Sequence, residues 1–229
     1  MRRSSSSNFV YLFAALVVLT LVGPLLAAAL GELGHWIGDL TLFVSLVIAL
    51  GSVATTPTQR RVGVVLVLAS VAALSIWVIW RSPSALLSYR LIGVAFLLLC
   101  IGVAGAGVPR ADRVDLNRLV GGLCVYLLIG AVFALLFAVL ESLLPASFAG
   151  LGDSGSGPAL WRFQYFSFVT LSTLGYGDIV PGNAYAQALV VIEALLGQFY
   201  LAVLIAGLVG AYLNDRVARR PPTRDGRAP

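Results

Sequence analysis

Apolar residues come in long uninterrupted blocks, and the polar residues gather in short stretches between them. The blocks run Phe9–Leu30, about Ile37–Ala54, Val62–Trp80, about Leu86–Val108, Leu119–Leu144 and about Tyr185–Leu213. Each approaches or exceeds the ~20 residues that cross a hydrocarbon core as a helix. A seventh apolar-aromatic segment, Ala159–Leu171, is shorter. As a helix it reaches only ~20 Å, too little to span, so it reads as re-entrant. The pattern therefore predicts an all-α membrane protein: six transmembrane helices with a re-entrant helix between the fifth and sixth.

The punctuation between blocks agrees. Gly31 to Gly38 is a tight connection carrying Glu32, His35 and Trp36, the last suited to the membrane interface. Thr55 to Arg61 ends the second span. Arg81-Ser82-Pro83-Ser84 turns the chain, with both serines able to cap a helix. Pro145 to Pro158 is rich in Gly and Ser, which is loop composition. Pro158 suits the first turn of the helix that follows. Phe9–Leu30 is expected to be the first span rather than a signal peptide, because it exceeds the ~7–15 residues of a signal core.

Composition strengthens this picture. The 229 residues are 59% hydrophobic and 11% charged, with mean hydropathy +0.97, outside the soluble globular range. A net charge of +5 would admit nucleic acid as a partner, but the arginines lie at helix ends and in the tail. Orientation in a membrane explains them better. All except Arg81, Arg90 and Arg162 fall on the side of the N-terminus. The positive-inside rule then puts both termini in the cytoplasm of a cell-membrane protein. Cys100 and Cys124 sit within apolar blocks and read as small core residues.

Candidate chemistry concentrates in Thr170-Leu171-Ser172-Thr173-Leu174-Gly175-Tyr176-Gly177-Asp178. A potassium filter replaces the ion's hydration shell with backbone carbonyls from loops of the form Thr-Val-Gly-Tyr-Gly. Gly175 and Gly177 permit the backbone angles that turn carbonyls toward one axis. The segment resembles the pore-loop potassium channel family, here in a six-segment form with a Thr-Leu-Gly-Tyr-Gly-Asp filter. Leu174 stands where the usual motif has Val.

That resemblance implies a homotetramer in membrane lipid, since one chain carries one filter and four loops ring an ion. Carbonyls of Thr173, Leu174, Gly175 and Tyr176, together with Gly177, would bind K+, with Thr173 adding its hydroxyl. No organic cofactor is implied. Asp178 resembles the acid that closes the family motif, tying filter to pore helix. Tyr165 and Phe166 resemble an aromatic cuff around the filter; apolar packing of the pore helix is the alternative for both. Glu193, an acid within a span, is a functional candidate by default and is expected to brace the pore helix or filter. Gly197 resembles the family's inner-helix bend; close helix packing is the alternative.

The resemblance divides the chain into a four-helix region (1–108), a cytoplasmic linker (109–118), a pore domain (119–213) and a basic cytoplasmic tail (214–229). The first region has the place of a voltage sensor without its charges. Only Arg90 lies in the fourth span, and one charge supplies ~2.3 kcal/mol per 100 mV. The implied function is a K+-selective channel with weak or no voltage gating. A weakly selective cation channel, or a subunit of a potassium-uptake transporter, is the alternative. No acid pair, metal-spaced His/Cys set or phosphate loop suggests an enzyme.

Overall fold

The computed structural model describes residues 9–30, 56–80, 82–107, 116–152 and 160–218. Within them the chain forms six helices: α1 (Phe9–Leu30), α2 (Pro57–Trp80), α3 (Pro83–Gly107), α4 (Leu116–Leu143), α5 (Leu160–Leu171) and α6 (Ala184–Ala218). Two short strands, β1 (Phe148–Ala149) and β2 (Val180–Pro181), pair antiparallel. Among the described residues, four segments are long and apolar enough to cross a membrane: Pro57–Trp80, Pro83–Ala104, Val120–Leu143 and Ala184–Gly207. α1 adds 22 uncharged helical residues. The expected span Ile37–Ala54, with His35 and Trp36 before it, lies outside the described residues. So do the linker from 109 to 115 and the tail from 219.

Helix starts follow local capping chemistry. α2 begins at Pro57, five residues before the expected Val62. Thr56 Oγ1 accepts from the Gln59 amide at 3.2 Å, and Gln59 Oε1 accepts from the Thr56 amide at 3.1 Å. This reciprocal capping box, with proline at the first helical position, puts Arg60 and Arg61 inside the helix rather than before it. α3 likewise starts at Pro83, after Ser82, whose carbonyl accepts from Ala85 and Leu86. α6 continues to Ala218, five residues past the expected end at Leu213, so Asn214 and Asp215 do not stop it.

α4 is the centre of the fold. It is apolar on all sides, as a helix surrounded by others must be. α1, α3, α5 and α6 all pack against it, and α2 packs on α3. One core joins Leu12 and Leu16 of α1, Phe96, Leu97 and Cys100 of α3, and Cys124, Leu128 and Leu135 of α4. A second joins Phe137 of α4 to Phe148, Phe163 and Phe166. The helices before residue 108 thus share a core with the helix after it. Arg90 of α3 is held against the C-terminal end of α4, donating to the Ala138 carbonyl at 2.9 Å and to Ser142 Oγ. A cation there meets the partial negative charge of the helix end.

α6 differs. Val191, Ile192, Leu195, Phe199, Val203 and Ile205 are all exposed, so this long apolar helix has one flank on α4 and α5 and the rest uncovered.

Candidate functional site

α5 is 12 residues long, ~18 Å, and ends at Leu171. Its seat is made on three sides. Phe163 and Phe166 are buried among Phe137 and Phe148, with Phe137–Phe166 and Phe148–Phe166 ring centroids at 5.2 and 5.5 Å. Phe168 comes so close to Gly130 of α4 that a Cβ there would lie 2.7 Å from its ring. On the α6 side, a Cβ on Gly197 would meet Leu171 Cδ1 at 2.7 Å and the Leu171 carbonyl oxygen at 3.1 Å.

The chain leaves α5 through a Schellman cap. Leu174 N donates to the Val169 carbonyl at 3.0 Å, and Thr173 N to the Thr170 carbonyl at 2.9 Å. These are the 6→1 and 5→2 bonds of that motif, whose penultimate residue must be left-handed. Glycine usually stands there; here it is Thr173, at φ +61°. A β-branched residue in this region is strained, a feature that gathers at functional sites. Gly175 at φ +57° and Gly177 at φ +78° continue the left-handed positions at every second residue. Sequence reasoning expected special angles at the two glycines and did not expect one at Thr173.

Every residue from Ser172 to Asp178 is exposed in the single chain, with Leu174 at 59% and Tyr176 at 66%. A Cβ on Gly175 or Gly177 would meet nothing within 4 Å. The loop is therefore held at its two ends and open between them.

The far end is pinned by a small lattice of bonds. β1 pairs Phe148 with Pro181 and Ala149 with Val180. Gly182 N donates to the Ser147 carbonyl at 2.7 Å, and Asn183 Nδ2 to Ser147 Oγ at 2.8 Å. Asn183 Oδ1 also caps α6, accepting from Ala186 N at 2.9 Å. Glu141, near the end of α4, accepts from Ala146 N at 2.8 Å and Phe148 N at 3.1 Å. Gly150, at φ +86°, passes so near Asp178 that a Cβ would overlap its carbonyl.

The residues expected to support the loop are placed as follows. Tyr165 is partly exposed and lies beside the Asp178 carboxylate. Phe166, its neighbour, is turned into the aromatic core instead and touches α4 and β1. Glu193 is fully buried and bonded to Ser167 of α5. Gly197 lies in an unbroken helix at its contact with Leu171. Tyr126, Glu141, Ser147, Ser167 and Asn183 were not anticipated. Asn183 had a visible signal, a capping residue directly before an apolar run.

Comparison with known proteins bears on this same region. A family profile described as "Ion channel" matches residues 121–214, which run from α4 through the loop into α6. The mouse protein "Potassium channel, subfamily K, member 16" is 30% identical over 152 residues, covering 57% of this chain and 47% of the relative. "Two pore potassium channel c" of Oryza sativa subsp. japonica is 32% identical over 85 residues, 36% of this chain and 19% of the relative. "Two-pore potassium channel 5" of Arabidopsis thaliana is 38% identical over 50 residues, 22% and 12%. The chain spans less than half the length of these relatives. The matched region is that of a channel and not of an enzyme. Residues 121–214 match the ion-channel family, and over that region the chain is similar to pore-loop potassium channels.

Proposed function

We propose that this protein is a passive, potassium-selective channel of the cell membrane, built from four copies whose 173–177 loops ring a common axis. The observation that carries the reading is the left-handed backbone at Thr173, Gly175 and Gly177. Alternating hands along a chain bring successive carbonyls to one side, which is what an ion stripped of water requires. The carbonyls of Thr173, Leu174, Gly175 and Tyr176 are the K+ ligands, with the Thr173 hydroxyl innermost and Gly177 closing the row. Such a backbone is tolerated at membrane depth only when protein buries it or it borders water. The exposure of residues 172–178 and of the apolar flank of α6 in one chain supports an assembly that covers both.

Asp178 and Tyr165 brace the loop from behind, and Glu193 braces α5. The capped C-terminal end of α5 presents partial negative charge below the loop, which favours a cation there. The full membrane topology is six spans, with α5 re-entrant and both termini cytoplasmic. The first four spans carry no arginine series, and Arg90 is bonded to α4, so the channel opens without steep voltage dependence.

Potassium flux into vesicles reconstituted with the purified chain tests this. Wild-type protein passes K+ well ahead of Na+, and Gly175→Asp abolishes the flux while the protein still assembles. Flux undiminished in Gly175→Asp would place the ion path elsewhere.

A further inference from the structure

Three elements of the pore region meet at one buried acid. Glu193 of α6 is fully buried, with Oε1 bonded to Ser167 Oγ of α5. The same Ser167 Oγ lies 2.8 Å from the carbonyl oxygen of Gly130 on α4. A serine hydroxyl carries one hydrogen, and neither a carboxylate nor a carbonyl supplies another. With Glu193 ionised, one of the two contacts would join acceptors with no hydrogen between them. With Glu193 protonated the conflict disappears: its hydroxyl donates to Ser167 Oγ, and Ser167 donates onward to Gly130. The second oxygen, Oε2, is buried without a partner. A bare neutral oxygen is far cheaper to bury than half of a carboxylate.

Among the described residues, the surroundings supply no compensating charge. From α4 the ionisable group facing Glu193 is Tyr126, which is neutral or negative. From α5 it is met by the uncharged Ser167. On α6, Val190 to Gly197 contain no other ionisable residue.

We propose that Glu193 is a positioning residue held in its protonated form, and that its proton completes a relay from α6 through Ser167 to Gly130 of α4 that seats the pore helix. The consequence for conduction rests on the channel reading above; the protonation does not. Loss of the proton turns the Ser167 hydrogen toward the carboxylate, strips the Gly130 contact of its hydrogen and leaves a bare charge in the protein interior. Rising pH therefore loosens the seat of α5 directly below the filter.

Infrared difference spectroscopy of the full chain in lipid vesicles, wild type minus Glu193→Gln, reads the proton directly. The expected result at neutral pH is the carbonyl band of a protonated carboxylic acid, absent from Glu193→Gln and lost on alkaline titration. Carboxylate bands alone at neutral pH would overturn the proposal. Flux adds a second readout: wild-type K+ flux falls as pH rises, and Glu193→Gln loses that dependence because its amide still donates to Ser167. An equal alkaline loss of flux in both would overturn the positioning role. Should Glu193→Gln fail to assemble, Ser167→Ala serves instead. There the acid band must move to the frequency of an acid without an acceptor, and an unmoved band overturns the relay. Protein that shows the band but conducts nothing under any condition supports the relay and contradicts the channel reading.

Discussion

The hydroxyl of Tyr126, on α4, donates to the carbonyl oxygen of Leu171, the last residue of α5, at 3.1 Å. The Tyr126 ring stacks on Tyr200 of α6, centroids 6.2 Å apart, and Tyr200 donates in turn to the Gly122 carbonyl at 2.6 Å. Two tyrosines from the flanking helices thus fix the helix end immediately before the 172–178 loop. Terminal helical carbonyls lack partners within their own helix, so this one depends on Tyr126. Tyr126→Phe keeps the ring stack and orphans the carbonyl, at a cost of about 1–3 kcal/mol. The thermal midpoint of the assembled protein in detergent is expected to fall. A midpoint equal to wild type would mean that another donor reaches the carbonyl.

Thr173 separates stability from selectivity. Its left-handed position costs about 1–2 kcal/mol for any residue with a Cβ. Thr173→Gly is expected to make the cap of α5 more stable by roughly that amount, seen as greater protection of the 171–174 amides from hydrogen exchange. The same variant removes the hydroxyl assigned to the innermost ion site, so its K+ over Na+ preference is expected to decline. A variant both more protected and fully selective would detach the threonine side chain from ion binding.

At Gly197 the contact with Leu171 and the bending of a gate make different forecasts. Adding one methyl 2.7 Å from Leu171 Cδ1 overpacks the junction. Gly197→Ala should cost about 1–3 kcal/mol. If packing is the cause, Leu171→Ala in the same chain makes room, and the double variant is more stable than the sum of the two single changes allows. Additive losses, with altered opening in Gly197→Ala, would assign the glycine to a hinge.

Arg90 is expected to behave as a clamp. Its bonds to Ala138 and Ser142 tie α3 to the end of α4 beside the aromatic core under β1. Arg90→Leu should lower stability by about 1.5–3 kcal/mol, the range for hydrogen bonds to a charged group. The steepness of the current–voltage relation should not change. A clear loss of steepness would make Arg90 a gating charge.

The β1–β2 pairing has its own test. Glu141→Ala removes the acceptor of both Ala146 N and Phe148 N, which frees the entry to β1. Faster hydrogen exchange at 146–149 and at the paired 180–182 is expected, with α2 and α3 unaffected. Exchange confined to wild-type rates would show that β1 and β2 hold without the carboxylate.

How far the sequence could be read depended on the range of each interaction. The apolar blocks announced α1, α3, α4 and α6 to within a few residues, because a membrane demands long unbroken hydrophobic runs. The backbone of the Thr-Leu-Gly-Tyr-Gly-Asp segment was legible for a local reason: two glycines at alternate positions signalled left-handed angles, and both adopt them. α2 starts ahead of its apolar run, because the Thr56–Gln59 capping box draws Arg60 and Arg61 into the helix. Phe166 shows the limit more sharply. Adjacent residues on a helix point about 100° apart, and which of Tyr165 and Phe166 turned to the core depended on Phe137 and Phe148. The pairings Tyr126–Leu171 and Ser167–Glu193 join residues 45 and 26 positions apart, and no periodicity within one helix encodes them.

The central claim is that the 173–177 loops form a potassium-selective path, and the reversal potential of purified protein in a planar bilayer tests it most directly. With potassium on one side and sodium on the other, the account predicts a reversal potential close to the potassium equilibrium value, moving toward zero in Tyr176→Ala. A clear current reversing near zero in the wild-type protein would contradict it.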